Sequence, residues 1–251
     1  MITCKFSGGV QHGLIRDMFK EGVSDKTRFV ATAANADRSE IDVSYLPAAS
    51  EMYNISPNIS DYILVPVSTV LSDLPNTNGD AMTREELLKF NPQQGRIAYK
   101  TWIGKPTFLE HANQVIPGAK GIILDTYVKA LPQYGGLLSL IKLLAFDRSK
   151  DPRLVNEILR KAINTYSMGV NFSAYRCSVS GRVFTSKDKP GDYTDLGMPP
   201  RLIRMGDRDV VAYRQLLNLE GFETSAVGTP AYFCAIGDTV MNLSSSQLFS
   251  N

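Results

Sequence analysis

Side chains able to move a proton near neutral pH are scarce in this chain. Its 251 residues include two histidines, His12 and His111, and histidine is the residue whose ordinary titration falls in that range. His12 lies in Val-Gln-His-Gly, a glycine-flanked stretch that reads as solvated loop. His111 closes Gly104-Lys-Pro-Thr-Phe-Leu-Glu-His and opens the polar turn His-Ala-Asn-Gln. It is expected at a strand end beside loops, held by the scaffold and open to solvent. Ser167 sits in Asn164-Thr-Tyr-Ser-Met-Gly-Val-Asn-Phe, where Gly169 leaves room for a backbone to approach. Glu223, in Gly221-Phe-Glu-Thr-Ser-Ala-Val, is an acid inside an otherwise apolar strand, and a buried carboxylate demands a partner. Each has an ordinary reading as well: a surface histidine, a serine in a turn entering a strand, a glutamate on a half-exposed strand.

The cysteines point elsewhere. Cys4, Cys177 and Cys234 are odd in number and widely spaced, which is no disulfide framework and suits a reducing compartment. Cys177, in Tyr175-Arg-Cys-Ser-Val-Ser-Gly, looks like half of a zinc knuckle with Ser180 in place of the second cysteine. With no histidine nearby, a tetrahedral zinc site cannot be assembled locally. Cys234 reads as a core cysteine. A Cys-His protease using Cys177 or Cys234 with His111 is the lesser alternative. No Walker-type phosphate loop occurs, so neither a metal nor a nucleotide cofactor is expected.

Several elements must position these residues. Tyr62 to Leu71 is rich in β-formers and carries Pro66, which favours an edge or bulged strand. Pro75-Asn-Thr-Asn-Gly-Asp is a turn, and Thr83 and Glu86 have capping-box spacing before a short helix ended by Pro92. Strands are expected at Ile97–Ile103, Gly121–Lys129 and Leu137–Phe146. The clearest helix runs from Asp151 to Asn164, capped by Asp151 and started by Pro152. It has one apolar face and a Glu157–Lys161 pair opposite. Strands follow at Tyr166–Arg176 and Arg201–Met205, a short helix at Asp209–Leu217, then strands at Gly221–Val227 and Ala231–Ile236. Leu14–Lys20 reads as a short helix, Ala31–Ser60 as mostly loop with short strands, and Thr185–Pro200 as an exposed loop. Irregular interspersion of strands and helices argues an α+β fold with a mainly antiparallel sheet or barrel.

Composition agrees with a folded chain: 43% of residues are apolar and 21% charged, which excludes wholesale disorder and collagen-like repeats. A net charge of +2 offers no broad basic field for a nucleic-acid backbone. The N-terminus lacks a signal-peptide h-region. The most apolar stretch, Gly136–Phe146, is interrupted by Ser139 and Lys142 and is too short to span a membrane. A cytosolic protein is expected.

Taken in order, Asn78-Gly-Asp-Ala-Met…Glu-Glu-Leu-Leu, Gly104-Lys-Pro-Thr-Phe-Leu-Glu-His111, Tyr166-Ser-Met-Gly and Phe222-Glu-Thr-Ser-Ala-Val-Gly-Thr-Pro-Ala resemble the tailed-bacteriophage prohead (capsid maturation) serine proteases, relatives of the herpesvirus assemblin fold. The likeness runs from about residue 60 to residue 237. It implies an antiparallel β-barrel or sheet core surrounded by helices. It implies Ser167 as nucleophile, His111 as general base and Glu223 as the acid that orients His111. Such a set is needed because a serine hydroxyl is a poor nucleophile without an adjacent base. Asp147 and Asp80 are alternative third acids. The oxyanion hole calls for backbone N–H donors, with Met168, Gly169, Gly228 and Thr229 as candidates; Pro230 has no N–H to give.

The chain's organisation is read as residues 1–60 forming an N-terminal extension packed on the core, 61–240 a single catalytic domain that the resemblance makes a protease, and Ser-rich residues 241–251 a flexible tail. The substrates would be scaffold or core proteins, the major capsid protein and the chain itself, cut inside an assembling prohead in the host cytoplasm. A homo-oligomer is compatible with this role, and no nucleic-acid or membrane partner is expected. The competing expectation is a capsid-assembly scaffolding or structural protein of the same fold that has lost catalysis.

Overall fold

The computed structural model describes residues 43–185, 187–188, 201–238 and 240–242. Cys4, His12, the Leu14–Lys20 helix, most of the Thr185–Pro200 loop and the chain beyond 242 lie outside these. In chain order the elements are helix α1 (Leu46–Tyr53), strands β1 (Tyr62–Leu71) and β2 (Asp80–Ala81), helix α2 (Arg84–Leu88), and strands β3 (Phe90–Asn91) and β4 (Arg96–Ile97). Strands β5 (Pro106–Leu109), β6 (Gly121–Leu131) and β7 (Leu137–Asp147) precede helix α3 (Pro152–Leu159). Then come β8 (Tyr166–Asn171), β9 (Ala174–Cys177), β10 (Val183–Thr185), β11 (Arg201–Met205), β12 (Arg208–Ala212), β13 (Arg214–Leu217), β14 (Glu220–Ala226) and β15 (Met241–Asn242).

The fold is α+β, with mostly antiparallel strands in a curled half-barrel sheet and few helices among the described residues. The seven-stranded sheet has the order β15-β1-β7-β6-β5-β14-β8. Strands β1 and β7 are apolar on both faces because both faces are covered. Ile63, Val65, Leu140 and Leu144 face the inner core, while Tyr62, Leu64, Ile141 and Leu143 face a second core beneath α1. Lys142 therefore falls on the inner face, between Leu140 and Leu144. A bulge between Ser68 and Val70 curls β1 two residues beyond Pro66. Strand β14 lies parallel to β5 and antiparallel to β8.

Several expectations are corrected. Residues 46–53, read as loop, form α1, which starts at Leu46-Pro47 and buries Leu46, Ala49 and Tyr53 on the sheet. Ile97–Ile103 is not a strand. Ala98–Trp102 is a 3-10 turn that tucks Trp102 beneath β14, where a Cβ on Gly221 would lie 2.1 Å from the indole. The helix after Asp151 ends at Leu159, with Lys161 left-handed (φ 57°). Arg153, not Lys161, pairs with Glu157. Asp209–Leu217 is not a helix; it holds most of β12 and all of β13. Ala231–Ile236 is turns with an isolated bridge from Ile236 to Thr165 instead of a strand. Tyr166–Arg176 divides into β8 and β9. The Thr83 hydroxyl does accept from Glu86 N–H, but the Glu86 carboxylate turns to Asn218 and Lys89 and leaves the capping box half made.

Candidate active site

Strand alternation sorts the residues of β14. Thr224 and Ala226 face the inner core, and Glu223 and Ser225 face the α1 side. Across the ladder, Ser167 of β8 stands opposite Ser225, Met168 opposite Thr224 and Gly169 opposite Glu223. Side chains opposite each other share a face, so Ser167, Ser225 and Glu223 occupy one surface. Gly169 is required there, because a Cβ would lie 2.2 Å from the Phe222 ring.

His111 reaches this surface from the turn after β5. Glu110 and His111 are consecutive non-glycine residues in the left-handed region, φ 49° and 55°, a strained pair that persists only where surroundings enforce it. The enforcement is visible. Glu110 N–H donates to the Ala226 carbonyl, and Glu110 Oε1 accepts from Gly228 N–H at 2.7 Å.

His111 Nδ1 lies 2.9 Å from Glu223 Oε1, with the glutamate side chain wholly buried and the histidine 42% exposed. An ionised carboxylate only accepts, so Nδ1 carries the hydrogen and neutral His111 keeps the Nε2 lone pair for an incoming proton. The hydrogen bond to Glu223 raises the His111 pKa above its ordinary value. Partial burial opposes the rise, and the charges of Glu223 and Glu110 add to it. Glu223 Oε2 accepts from the Ser225 hydroxyl at 2.5 Å. Both oxygens of the buried acid are thereby used.

His111 and Ser167 line one cavity of about 300 Å³, together with Asp80, Met168, Gly169 and Phe222 among others. The Ser167 side chain makes no hydrogen bond among the described residues, to His111 or any other group, and the residue lines this cavity. Strand β8 is the last of the sheet. Asn164 and Tyr166 turn their backbone groups to Gly237 and Ala235, while Thr165 pairs toward Val227. By the same alternation, the backbone N–H and C=O of Met168 and Val170 point to the sheet edge beside Ser167, which no strand covers among the described residues.

The remaining sequence-designated residues are placed as follows. Asp80 shares the cavity but pairs with Arg214; burial raises its pKa and Arg214 opposes the rise. Asp147 is buried at the end of β7, where it accepts from the backbone N–H of Ser56 and Ser149 and the Ser149 hydroxyl. Among the described residues it makes no hydrogen bond with His111, whose partner is Glu223. Gly228 N–H is taken by Glu110, and Thr229 is exposed. Met168 and Gly169 flank the cavity. Cys234 is fully buried, and burial pushes its thiol up to about 12, which removes the thiolate that a Cys-His pair needs. Cys177 packs on Phe184.

Sequence reading overlooked two residues. Ser225 carried a signal, because strand alternation places a residue two beyond Glu223 on the same face. Lys142 carried a weaker one, as a lone lysine within an apolar strand. Its Nζ lies 3.0 Å from Thr224 Oγ1, 3.1 Å from Met168 Sδ and 4.1 Å above the Trp102 ring, on the opposite side of the ladder from Glu223.

Among the described residues no helix is long and apolar enough to cross a membrane, and no group of three or more His, Cys, Asp or Glu could hold a metal ion. No family model, curated protein or solved structure matches the chain.

Proposed function

We propose that this chain is a serine hydrolase in which Ser167 attacks, His111 Nε2 takes its proton, and Glu223 holds the imidazole through Nδ1. More particularly, it is a prohead maturation endopeptidase with a herpesvirus-protease-like core. It cuts scaffold or core and capsid proteins, and itself, inside the assembling shell. The observation that carries the reading is the 2.9 Å contact between His111 and the buried Glu223 at a cavity shared with Ser167. Peptide substrates suit the site because the edge-facing backbone groups of β8 beside Ser167, unpaired with any strand among the described residues, can pair with an extended chain. His111 would return its proton to the leaving amine, completing acyl transfer. The ordered likeness of the sequence motifs to prohead proteases supplies the substrate class.

A fluorophosphonate probe tests the reaction class. Covalent label mapped to Ser167, lost in Ser167→Ala and diminished in His111→Ala, is the expected result. Label on another serine overturns the assignment.

A second reading has its own support. Ser167 is not hydrogen-bonded to His111, and Gly228 N–H, a candidate oxyanion donor, is occupied by Glu110. These features favour a capsid-assembly structural protein that keeps the fold without catalysis. Under that reading the probe labels nothing, and Ser167→Ala assembles normally with its partners unprocessed in both forms.

A further inference from the structure

Glu223 needs more than a histidine. A carboxylate wholly removed from water must have its lone pairs satisfied, and His111 serves one oxygen only. The other is served by Ser225, itself fully buried, from the strand position facing Ser167. Ser225 lies two residues from Glu223 on the same strand face, so the contact is set by backbone geometry. It does not depend on a flexible tether. Being buried and committed to Glu223, Ser225 does not compete with Ser167 for a substrate carbonyl.

We propose that Ser225 is a positioning residue of this site: its hydroxyl, donated to Glu223 Oε2, fixes the carboxylate so that Oε1 faces His111 Nδ1. The role rests on the serine-hydrolase reading for its consequence in catalysis, though not for its effect on the histidine. Without the hydroxyl, Oε2 is a buried oxygen with no donor, and the carboxylate's hold on the imidazolium weakens. The other charged groups acting on the pair are Glu110, on the His111 turn, and Lys142, reaching in from β7. Both are retained in every variant below.

The test compares Ser225→Ala, Ser225→Cys and Ser225→Thr in the full chain. Cysteine keeps the volume with a weak donor, and threonine keeps the hydroxyl. The His111 imidazole is titrated by NMR, with His111→Ala assigning its signal against that of His12. Ala and Cys should lower the His111 midpoint by at least about half a pH unit, and Thr should restore it. With a peptide substrate, Ala and Cys should lower kcat roughly tenfold or more, in keeping with one hydrogen bond to a charged group, and leave KM unchanged. An unchanged midpoint in Ala or Cys overturns the proposal. So does an equal change in all three variants, which would mark packing alone. The titration needs no substrate, so a chain without hydrolase activity still tests Ser225, and a failed Ser225 leaves the Ser167 labelling result standing.

Discussion

Lys142 Nζ meets Thr224 Oγ1 at 3.0 Å inside the half-barrel, one residue along β14 from Glu223 and directly behind it. The lysine is wholly buried and has an indole face, a thioether and a hydroxyl around its nitrogen. Burial holds its pKa well below the ordinary 10.5, and the charge of Glu223 offsets only part of that.

Such a group is expected to weaken the fold. Lys142→Met should be neutral or stabilising, by about 1–4 kcal/mol, because the hydrophobic replacement carries no desolvation penalty. The sign with pH follows from proton binding. Below 10.5 the unfolded lysine is protonated more fully than the folded one, so wild-type stability rises with pH through that window. Urea unfolding of both proteins from neutral pH upward should therefore show the Lys142→Met advantage shrinking as pH rises. A constant or growing advantage would contradict the buried, depressed lysine.

The His111–Glu223 pair sets a second pH dependence. Because its folded pKa is raised, catalysis needing neutral His111 should rise with pH through a midpoint above 6.5. Glu223→Gln should move that midpoint down and can lower kcat by up to ~10⁴, as loss of the orienting acid does in other triads. The same shift acts on stability with the opposite sense. Its contribution is full below the unfolded histidine value and is lost as pH climbs past the folded one. Rate–pH profiles of the two proteins on one peptide decide the first point, since equal midpoints would exclude the coupling.

Chain chemistry marked Glu223, which the resemblance to prohead proteases also aligned, and it marked Thr83 and strands β6 and β7, because each carries a local contradiction or pattern that a fold must resolve. An acid amid apolar residues must find a partner, and long apolar runs must be covered on both faces. The misreadings share a different cause. Ala98–Trp102 has strand-like residues, yet β14 accepts the indole only where Gly221 clears the way. That clearance is set by a residue more than a hundred positions away in the sequence. Asp209–Leu217 has apolar spacing that fits both periods, and pairing with β11 and β9 decides for strand. Ser225 gains its meaning only from the register that sets it opposite Ser167.

Gly169 offers a steric test of that register. Gly169→Ala places a methyl 2.2 Å from the Phe222 ring tip, and overpacking of this kind destabilises by about 1–3 kcal/mol. Phe222→Ala removes the obstacle. In the double variant the losses should fall short of additive by roughly 1 kcal/mol or more, as for residues in direct contact. Additive losses in urea unfolding would place the ring elsewhere.

Asp147 separates stability from catalysis. Its carboxylate holds the Ser56 backbone N–H at 2.7 Å and the Ser149 N–H and hydroxyl at 2.8 and 2.7 Å, tying the chain after α1 to the end of β7. Asp147→Asn keeps the shape but can satisfy these donors with only one oxygen. The unfolding free energy should fall by about 1–3 kcal/mol, the range for a buried hydrogen-bonding group left unsatisfied. Turnover per folded molecule should match wild type, because Glu223, and not Asp147, braces His111. The contrast with Glu223→Gln is the informative one: that change should strike turnover far harder than Asp147→Asn does. If Asp147→Asn instead abolished turnover while folding normally, the orienting acid would have been assigned to the wrong end of the sheet.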